Sequence, residues 1–155
     1  MTLVVFLFLV TFVVQGYKVY GSCMEPNLNT GERLLGNKFV YRFDKPARGD
    51  IVVFKYPRDP SKFFIKRIIA LPNETVQIRS GKVYVNGRKL DESQYVVKIP
   101  HGHYPPERVP KGAVFVLGDN RDESNDSRFW GVLPTRNIQA KACLRYWPCS
   151  RICKF

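Results

Sequence analysis

The sequence is poor in histidine and cysteine, the residue types on which metal sites and disulfide frameworks most often depend. Its two histidines, His101 and His103, lie in a loop flanked by glycine and proline, a context typical of a turn. Three of its four cysteines, Cys143, Cys149 and Cys153, fall within the last thirteen residues, which does not suit bridges spread over a fold. The composition therefore argues against a structural metal and against a disulfide-stapled scaffold.

The chain also lacks the signatures of nucleic-acid-binding proteins, although it is strongly basic. It carries 25 Lys and Arg against 13 Asp and Glu, a net charge of +12. The basic residues are scattered, and no zinc finger, helix-turn-helix or aromatic-basic RNA-binding motif accompanies them. We therefore expect no nucleic-acid partner, and we expect the charge to favour an anionic lipid surface. A length of 155 residues suits one domain, or two small lobes that share a core.

Long apolar runs are absent except at the amino terminus. Residues 3–14, LVVFLFLVTFVV, are apolar apart from Thr11, and the first charged side chain is Lys18. As a helix this run would span about 18 Å, short of the ~30 Å hydrocarbon layer of a bilayer. It also lacks the basic start and the cleavage site of a secretory signal. We expect a membrane segment over residues 1–16, either truncated or completed by the uncharged residues up to Tyr17. A buried strand is the alternative.

Helical periodicity is hard to find after the amino terminus, and the chain consists of short apolar or alternating runs between turn signals. Ser80-Gly81 and Asn86-Gly87 accept positive φ between alternating strands, which predicts two successive hairpins of an antiparallel meander. The 11 glycines and 11 prolines interrupt the chain too often for long helices. Residues 98–112, KIPHGHYPPERVPKG, are expected to form a mobile connector or surface loop. The predicted fold class is mostly β.

Lys66 is the candidate for general-base chemistry. The histidines lie in the proline-rich loop, so a Ser-His-Asp or Cys-His arrangement lacks a convincing base. A lysine amine acts as a base at neutral pH only where burial penalises its charged form. Lys66 lies in FFIKRIIAL, an apolar run that suits a neutral amine. Strand alternation directs either Lys66 or Arg67 inward, and this segment alone leaves open that Lys66 points to solvent.

The stretch GDNRDESNDSRFWG, residues 118–131, is dense in charge and hydroxyl groups. It lacks the glycine at the sixth position of an EF-hand loop, and two arginines interleave with its acids, so a cation site is not expected. We predict that Asp119 pairs with Arg121 and that Asp126 pairs with Arg128. Such pairs would let a polar loop be ordered beside a strand. Ordering charged groups in this way costs free energy, so we expect it where the ordered loop serves a function.

Three stretches taken together resemble the sequence boxes of bacterial type I signal peptidases. These are GSCMEP from residue 21, FIKRIIALPNE from residue 64 and the stretch 118–131, with RGDIVVF from residue 48 between the first two. The resemblance covers residues 15 to about 148. It implies a largely antiparallel β fold of the kind that signal peptidases share with self-cleaving repressors.

The resemblance also implies a domain organisation. The catalytic β core would consist of residues 17–71 and 114–148, and a smaller inserted β region would occupy residues 72–113. The apolar segment 1–16 would precede the core as a membrane anchor, and residues 149–155 would form a C-terminal tail.

The activity implied by the resemblance is that of a serine–lysine hydrolase that removes signal peptides from exported preproteins. Its partners would be the signal peptides of secreted preproteins and the lipid bilayer. The chain would reside in the cytoplasmic membrane with its catalytic body on the outer, periplasmic side. No cofactor and no metal is required.

The family motif transfers residue by residue onto this chain. The family's nucleophile stands directly before Met-x-Pro, so the matching position is Cys23, whose backbone N–H is the implied oxyanion donor. Lys66 matches the base. The supporting residues implied are Ser124, which orients the lysine, Asp126 and Arg128, whose ion pair shapes the site, and Arg67, which follows the base; Gly49 and Asp50 match a structural turn.

Two departures from the family pattern concern the first box. The usual nucleophile is serine, whereas this chain has Cys23 with Ser22 before it, and neighbouring side chains of an extended segment point opposite ways, which favours Cys23 over Ser22. A thiol is more acidic and larger than an alcohol, so the sequence leaves open whether Cys23 is a working, an impaired or an introduced nucleophile. Gly21 stands where some members carry a hydroxyl, which leaves the oxyanion without a matched side-chain donor.

Two other classes of protein stay open at this point. The first is a catalytically impaired or inactive membrane-attached homologue that only binds extended peptide segments. The second is a self-cleaving repressor-type protease, which would be expected to lack a membrane segment and to carry its own cleavage site.

Overall fold

The computed structural model describes residues 13–98 and 100–155, which form two antiparallel β-sheets and confirm the predicted mostly β class. In chain order the strands are β1 Val14–Lys18, β2 Arg33–Asn37, β3 Ile51–Tyr56, β4 Asp59–Ala70, β5 Thr75–Arg79, β6 Lys82–Val85, β7 Arg88–Lys89, β8 Tyr104–Arg108, β9 Ala113–Leu117, β10 Leu133–Pro134, β11 Ile138–Trp147 and β12 Cys153–Lys154. The described residues also contain helices α1 (Val40–Phe43) and α2 (Ser127–Trp130) and 3-10 turns at Arg121–Glu123, Thr135–Asn137 and Cys149–Arg151.

The larger sheet has the strand order β1-β2-β11-β3-β4-β9-β10, with β12 paired to β11. Two of its inner strands come from apolar runs, and Ile51–Phe54 of β3 and all of β9 are buried. Continuous apolar runs suit strands that are covered on both faces. Strand β1 stands at one end of this order, so its outer edge has no neighbouring strand in the part of the chain that the structure describes.

The smaller sheet has the order β7-β6-β5-β8. Strands β5 and β6 alternate buried and accessible residues, with Val76 and Ile78 of β5 turned inward. Both predicted hairpins are confirmed, because Ser80 and Asn86 adopt positive φ of 48° and 50° at the turns that join β5 to β6 and β6 to β7.

The prediction for residues 98–112 was wrong in part. This segment contains strand β8, which pairs with β5 from Thr75 opposite Arg108 to Ile78 opposite Tyr104. Two prolines fall within β8, and they are tolerated because β8 is an edge strand, where a residue without an N–H loses no ladder hydrogen bond on its free side.

One hydrophobic cluster joins the two sheets, since Val76 of β5 packs in it with Phe115 of β9. A second cluster lies beneath the segment that follows β1, where Met24 and Leu28 are fully buried beside Val53. All four strands of the smaller sheet fall within the predicted insert, 72–113. The division of the chain into a core and an inserted unit nevertheless stays a prediction.

Most of the predicted membrane segment lies outside the described residues. No helix within residues 13–98 and 100–155 is both long and apolar enough to cross a bilayer. Val14–Lys18 form strand β1, so the alternative in which the span is completed up to Tyr17 is wrong.

Candidate active site

Cys23 is held in the loop that leaves the edge strand β1. The backbone N–H of Val19 donates to the Glu32 carbonyl at 2.8 Å, which closes the loop at its base. Met24 is fully buried, and the carbonyl of Cys23 accepts a 3.0 Å hydrogen bond from the backbone N–H of Asn120. Contacts of the chain before and after Cys23, and of its own carbonyl, therefore hold the half-buried thiol in place.

The side chain of Lys66 reaches this thiol. Lys66 lies on β4 opposite Val52 of β3 and is only 3% exposed. Its Nζ donates to Cys23 Sγ at 2.9 Å and to the Ile65 carbonyl at 3.1 Å, and it lies 5.3 Å from the centre of the Phe64 ring. A thiol and an almost fully buried amine are thus in hydrogen-bond contact, a geometry that suits acyl transfer by a lysine-assisted nucleophile.

The side chain of Arg67 is also mostly withdrawn from solvent, although strand alternation places it on the other face of β4 from Lys66. Its guanidinium donates from Nε and Nη2 to the two carboxylate oxygens of Asp119 at 2.8 and 2.7 Å, and from Nη1 to the Gly49 carbonyl at 2.9 Å. The predicted pairing of Asp119 with Arg121 is therefore wrong. A two-pronged pair with the planar guanidinium on β4 satisfies both oxygens of this almost fully buried carboxylate.

Arg121 forms its ion pair with Glu92, a residue from the segment that joins β7 to β8 in the smaller sheet. The pair has two contacts, and the one between Nη1 and Oε2 measures 3.2 Å. The Nε of Arg121 donates to the Gly118 carbonyl at 2.9 Å, and the side chain is 2% exposed. This buried arginine thus ties the segment between β7 and β8 to the loop that begins at Gly118.

Asp126 and Arg128 form the ion pair that the sequence predicted. Arg128 Nε and Nη2 lie 2.8 and 2.9 Å from the two oxygens of the buried Asp126 carboxylate. Asp126 Oδ2 also accepts the backbone N–H of Gly118 at 3.1 Å, and Arg128 Nη2 donates to the Arg121 carbonyl at 2.6 Å. The pair therefore holds both ends of the loop 118–126, and its part in any reaction stays a prediction.

Ser124 lies inside this loop, against the segment that contains Cys23. Its side chain is buried, and its Oγ has no hydrogen-bond partner among the described residues, so no hydrogen bond joins it to Lys66. A Cβ built on Gly118 would collide with the Ser124 side chain and would lie 2.5 Å from the Cys23 carbonyl oxygen. Glycine at position 118 thus lets the loop that carries Ser124 approach the backbone of Cys23.

An open cleft of ≈ 360 Å³ leads from β1 to the thiol and the amine. Ser22 lines it, but its Oγ donates to Glu123 at 2.9 Å, whereas Lys66 contacts Cys23. Gly21 has φ of 85°, and a Cβ at this position would meet no atom within 4 Å, so the space around position 21, two residues before Cys23, is open. The remaining walls are mostly apolar or aromatic: Tyr17, Val19, Tyr20, Leu34, Val53, Phe63, Phe64 and Ile65.

Three residues that hold the site together were missed by the sequence analysis: Glu92, Tyr95 and Asn27. Asn27 Nδ2 donates to the Tyr95 carbonyl at 2.7 Å and to Asp119 at 2.8 Å, and the Arg67 guanidinium lies 4.3 Å from the centre of the Tyr95 ring. Burial, followed by the charge of Glu92, raises the pKa of Tyr95. These contacts join residues far apart in sequence, and no local pattern indicates them.

A side chain able to act as a nucleophile, in contact with a lysine amine at an open cleft on an antiparallel β fold, resembles the arrangement of hydrolases that use lysine rather than histidine as the base. The chain belongs to the signal peptidase family: the family model described as signal peptidase, peptidase S26, matches residues 1–147.

Individual relatives agree with this assignment. The chain is 42% identical over 150 residues to "Signal peptidase I" of Leptolyngbya laminosa, with 92% of this chain and 73% of the relative covered. It is 44% identical over 156 residues to "Probable signal peptidase I-1" of Synechocystis sp., with 96% and 79% covered. Among solved structures, a signal peptidase I from Enterococcus faecalis V583 matches with a TM-score of 0.55 and 34% identity over 63% of this chain and 97% of that chain.

Proposed function

We propose that this chain is a membrane-attached endopeptidase that removes N-terminal signal peptides from exported preproteins after small residues, with Cys23 as nucleophile and Lys66 as base. The observation that carries the proposal is the 2.9 Å contact between Lys66 Nζ and Cys23 Sγ, in a cleft beside an edge strand. Membership of the signal peptidase family supports the choice of substrate.

The substrate enters as an extended segment. It pairs with the outer edge of β1 and places small side chains, at the first and third positions before the scissile bond, against the apolar walls of the cleft. This arrangement brings the scissile carbonyl to Cys23. The backbone N–H of Cys23 has no acceptor among the described residues, which suits a donor for the oxyanion.

The reaction proceeds through a thioester. Cys23 Sγ attacks the carbonyl carbon while the neutral amine of Lys66 takes the thiol proton, and the carbonyl electrons move onto the oxyanion. When the tetrahedral intermediate collapses, the C–N bond breaks and Lys66 returns the proton to the leaving amine of the mature protein. Lys66 then takes a proton from water as the water attacks the thioester, and the proton passes to the departing sulfur, which releases the signal peptide with a free carboxylate.

The same proposal places the chain at the cytoplasmic membrane, with its catalytic body on the outer side. The apolar run 3–14 supports an anchor, and Tyr20 and Phe63, which line the cleft, are 71% and 55% exposed. Exposed aromatic side chains favour the bilayer interface, where signal peptides emerge.

Cleavage of a fluorogenic peptide with Ala-x-Ala before the scissile bond tests the proposal. The Lys66→Met variant should lose activity, whereas Lys55→Met, which removes an exposed lysine from β3, should retain it. In a Cys149→Ser, Cys153→Ser background, which removes the two exposed thiols, alkylation should abolish cleavage. Cleavage that persists after alkylation would contradict Cys23 as the nucleophile.

The same assay separates the enzyme from a homologue that only binds peptides. We expect the Cys23→Ser variant to cleave, because serine is the residue that the family uses at this position. A chain that binds the peptide but cleaves it neither as wild type nor as Cys23→Ser would support the binding-only alternative.

A further inference from the structure

We propose that a cationic cavity where β2 ends and β11 begins binds the phosphate headgroup of an anionic phospholipid. The cavity has a volume of ≈ 460 Å³ and lies apart from the cleft that leads to Cys23. Three cations line it: Lys38 and Arg42 on one side, and Arg136 from the 3-10 turn before β11 on the other. This inference rests on the membrane attachment proposed above.

These three cations lack the carboxylate partners that neutralise other basic residues. All 13 acidic side chains lie in the described part of the chain, and none is within ion-pair distance of Lys38, Arg42 or Arg136. The nearby Asp50 is already occupied, because it pairs with Lys141 at 2.8 Å and accepts the Tyr41 hydroxyl at 2.7 Å. The cavity therefore carries uncompensated positive charge that a ligand can neutralise.

The donor set suits a phosphate group. The guanidinium of Arg42 lies 4.6 Å from the centre of the Phe39 ring, a stacking contact that orients it. Two guanidinium groups bind phosphate oxygens in pairs of parallel hydrogen bonds, and the ammonium of Lys38 adds a point charge.

The position of the cavity indicates that the phosphate belongs to a lipid. The backbone N–H of Lys38 donates at 2.9 Å to the carbonyl of Val13, which lies at the end of the apolar run 3–14. Phe43, next to Arg42, is 85% exposed. An exposed aromatic side chain beside clustered Lys and Arg, where an apolar segment joins the fold, is the pattern of a surface that rests on anionic lipid headgroups.

The full chain in a nonionic detergent, supplied with equal amounts of phosphatidylglycerol and phosphatidylcholine, tests this assignment by native mass spectrometry of the retained lipid. Wild type should retain phosphatidylglycerol in preference. The Lys38→Gln, Arg42→Gln, Arg136→Gln variant should bind it at least about tenfold more weakly. The matched control is Lys82→Gln, Arg88→Gln, Lys89→Gln, which removes the same charge from exposed residues of the smaller sheet and should bind like wild type.

Unchanged preference in the first triple variant, or an equal loss in both, would overturn the headgroup site. Displacement of the lipid by inorganic phosphate at similar concentration would assign the cavity to free phosphate and overturn the lipid assignment. Failure of the proposed function is recognised separately, because neither triple variant touches Cys23 or Lys66 and peptide cleavage is measured on the same samples.

Discussion

Glu92 and Arg121 form a two-pronged ion pair that joins the segment between β7 and β8 of the smaller sheet to the loop carrying Ser124. The Arg121 side chain is 2% exposed, so removal of its partner leaves a buried, uncompensated charge. We expect Glu92→Gln to lower the free energy of unfolding by about 3 kcal/mol. Urea denaturation measures this change. Lys62→Gln, which breaks an exposed ion pair with Asp59, should leave the midpoint unchanged, and equal effects of the two variants would contradict the argument.

Ser124→Ala should separate activity from stability. The Ser124 hydroxyl is buried without a hydrogen-bond partner among the described residues, so its loss should change the free energy of unfolding by about 1 kcal/mol or less. If the hydroxyl orients the Lys66 amine during the reaction, kcat for peptide cleavage should fall by about tenfold or more. Wild-type kcat in this variant would exclude that role.

Ser127→Ala is the matched control for that experiment. Its Oγ accepts the backbone N–H of Val116 at 3.0 Å in a fully buried position, so its loss leaves a buried donor unpaired. We expect destabilisation by about 1–3 kcal/mol, in contrast to Ser124→Ala.

Gly21→Ser should test the oxyanion site. Position 21 has open space around it but a φ of 85°, so any side chain there is strained by about 1 kcal/mol. Gly21→Ala carries the same strain without a hydroxyl. A kcat for Gly21→Ser about tenfold or more above that of Gly21→Ala would place a donor at the oxyanion. Equal values would show that the hydroxyl does not reach it.

Tyr41 should make stability depend on alkaline pH. Burial, together with its hydrogen bond to Asp50 and the charge of that carboxylate, raises the pKa of Tyr41 above its ordinary value of 10.0. The fold therefore favours the neutral phenol, so the contribution is complete below pH 10 and is lost as pH rises through the raised pKa. As the pH rises above 10, the urea midpoint should fall less steeply for Tyr41→Phe than for wild type. Parallel pH profiles would contradict the prediction.

Local patterns were sufficient for much of the fold. Alternation and turn residues predicted the hairpins at Ser80 and Asn86, because both depend on neighbours along the chain. The same reasoning failed for β8, because the prolines at 105 and 106 suggested a loop and only the pairing with β5 reveals an edge strand.

The candidate site, like the fold, was predicted from the sequence only in part. The motifs contain Cys23 and Lys66, and the structure adds the distance between them, which depends on how β4 lies relative to the loop after β1. Asp119 pairs with Arg67 rather than with Arg121, its nearer neighbour in sequence, because β4 brings the Arg67 guanidinium to its two oxygens while Arg121 pairs with Glu92. Long-range pairing of this kind depends on the assembled sheets and leaves no local signature.

The close approach at Gly118 limits how this protein could be re-engineered. A side chain at that position would push apart the loop bearing Ser124 and the backbone of Cys23. In a library fully randomised at residue 118 and selected for turnover, only variants with glycine at this position should survive. A change of specificity must therefore be sought in the side chains of the cleft walls, with glycine kept at position 118.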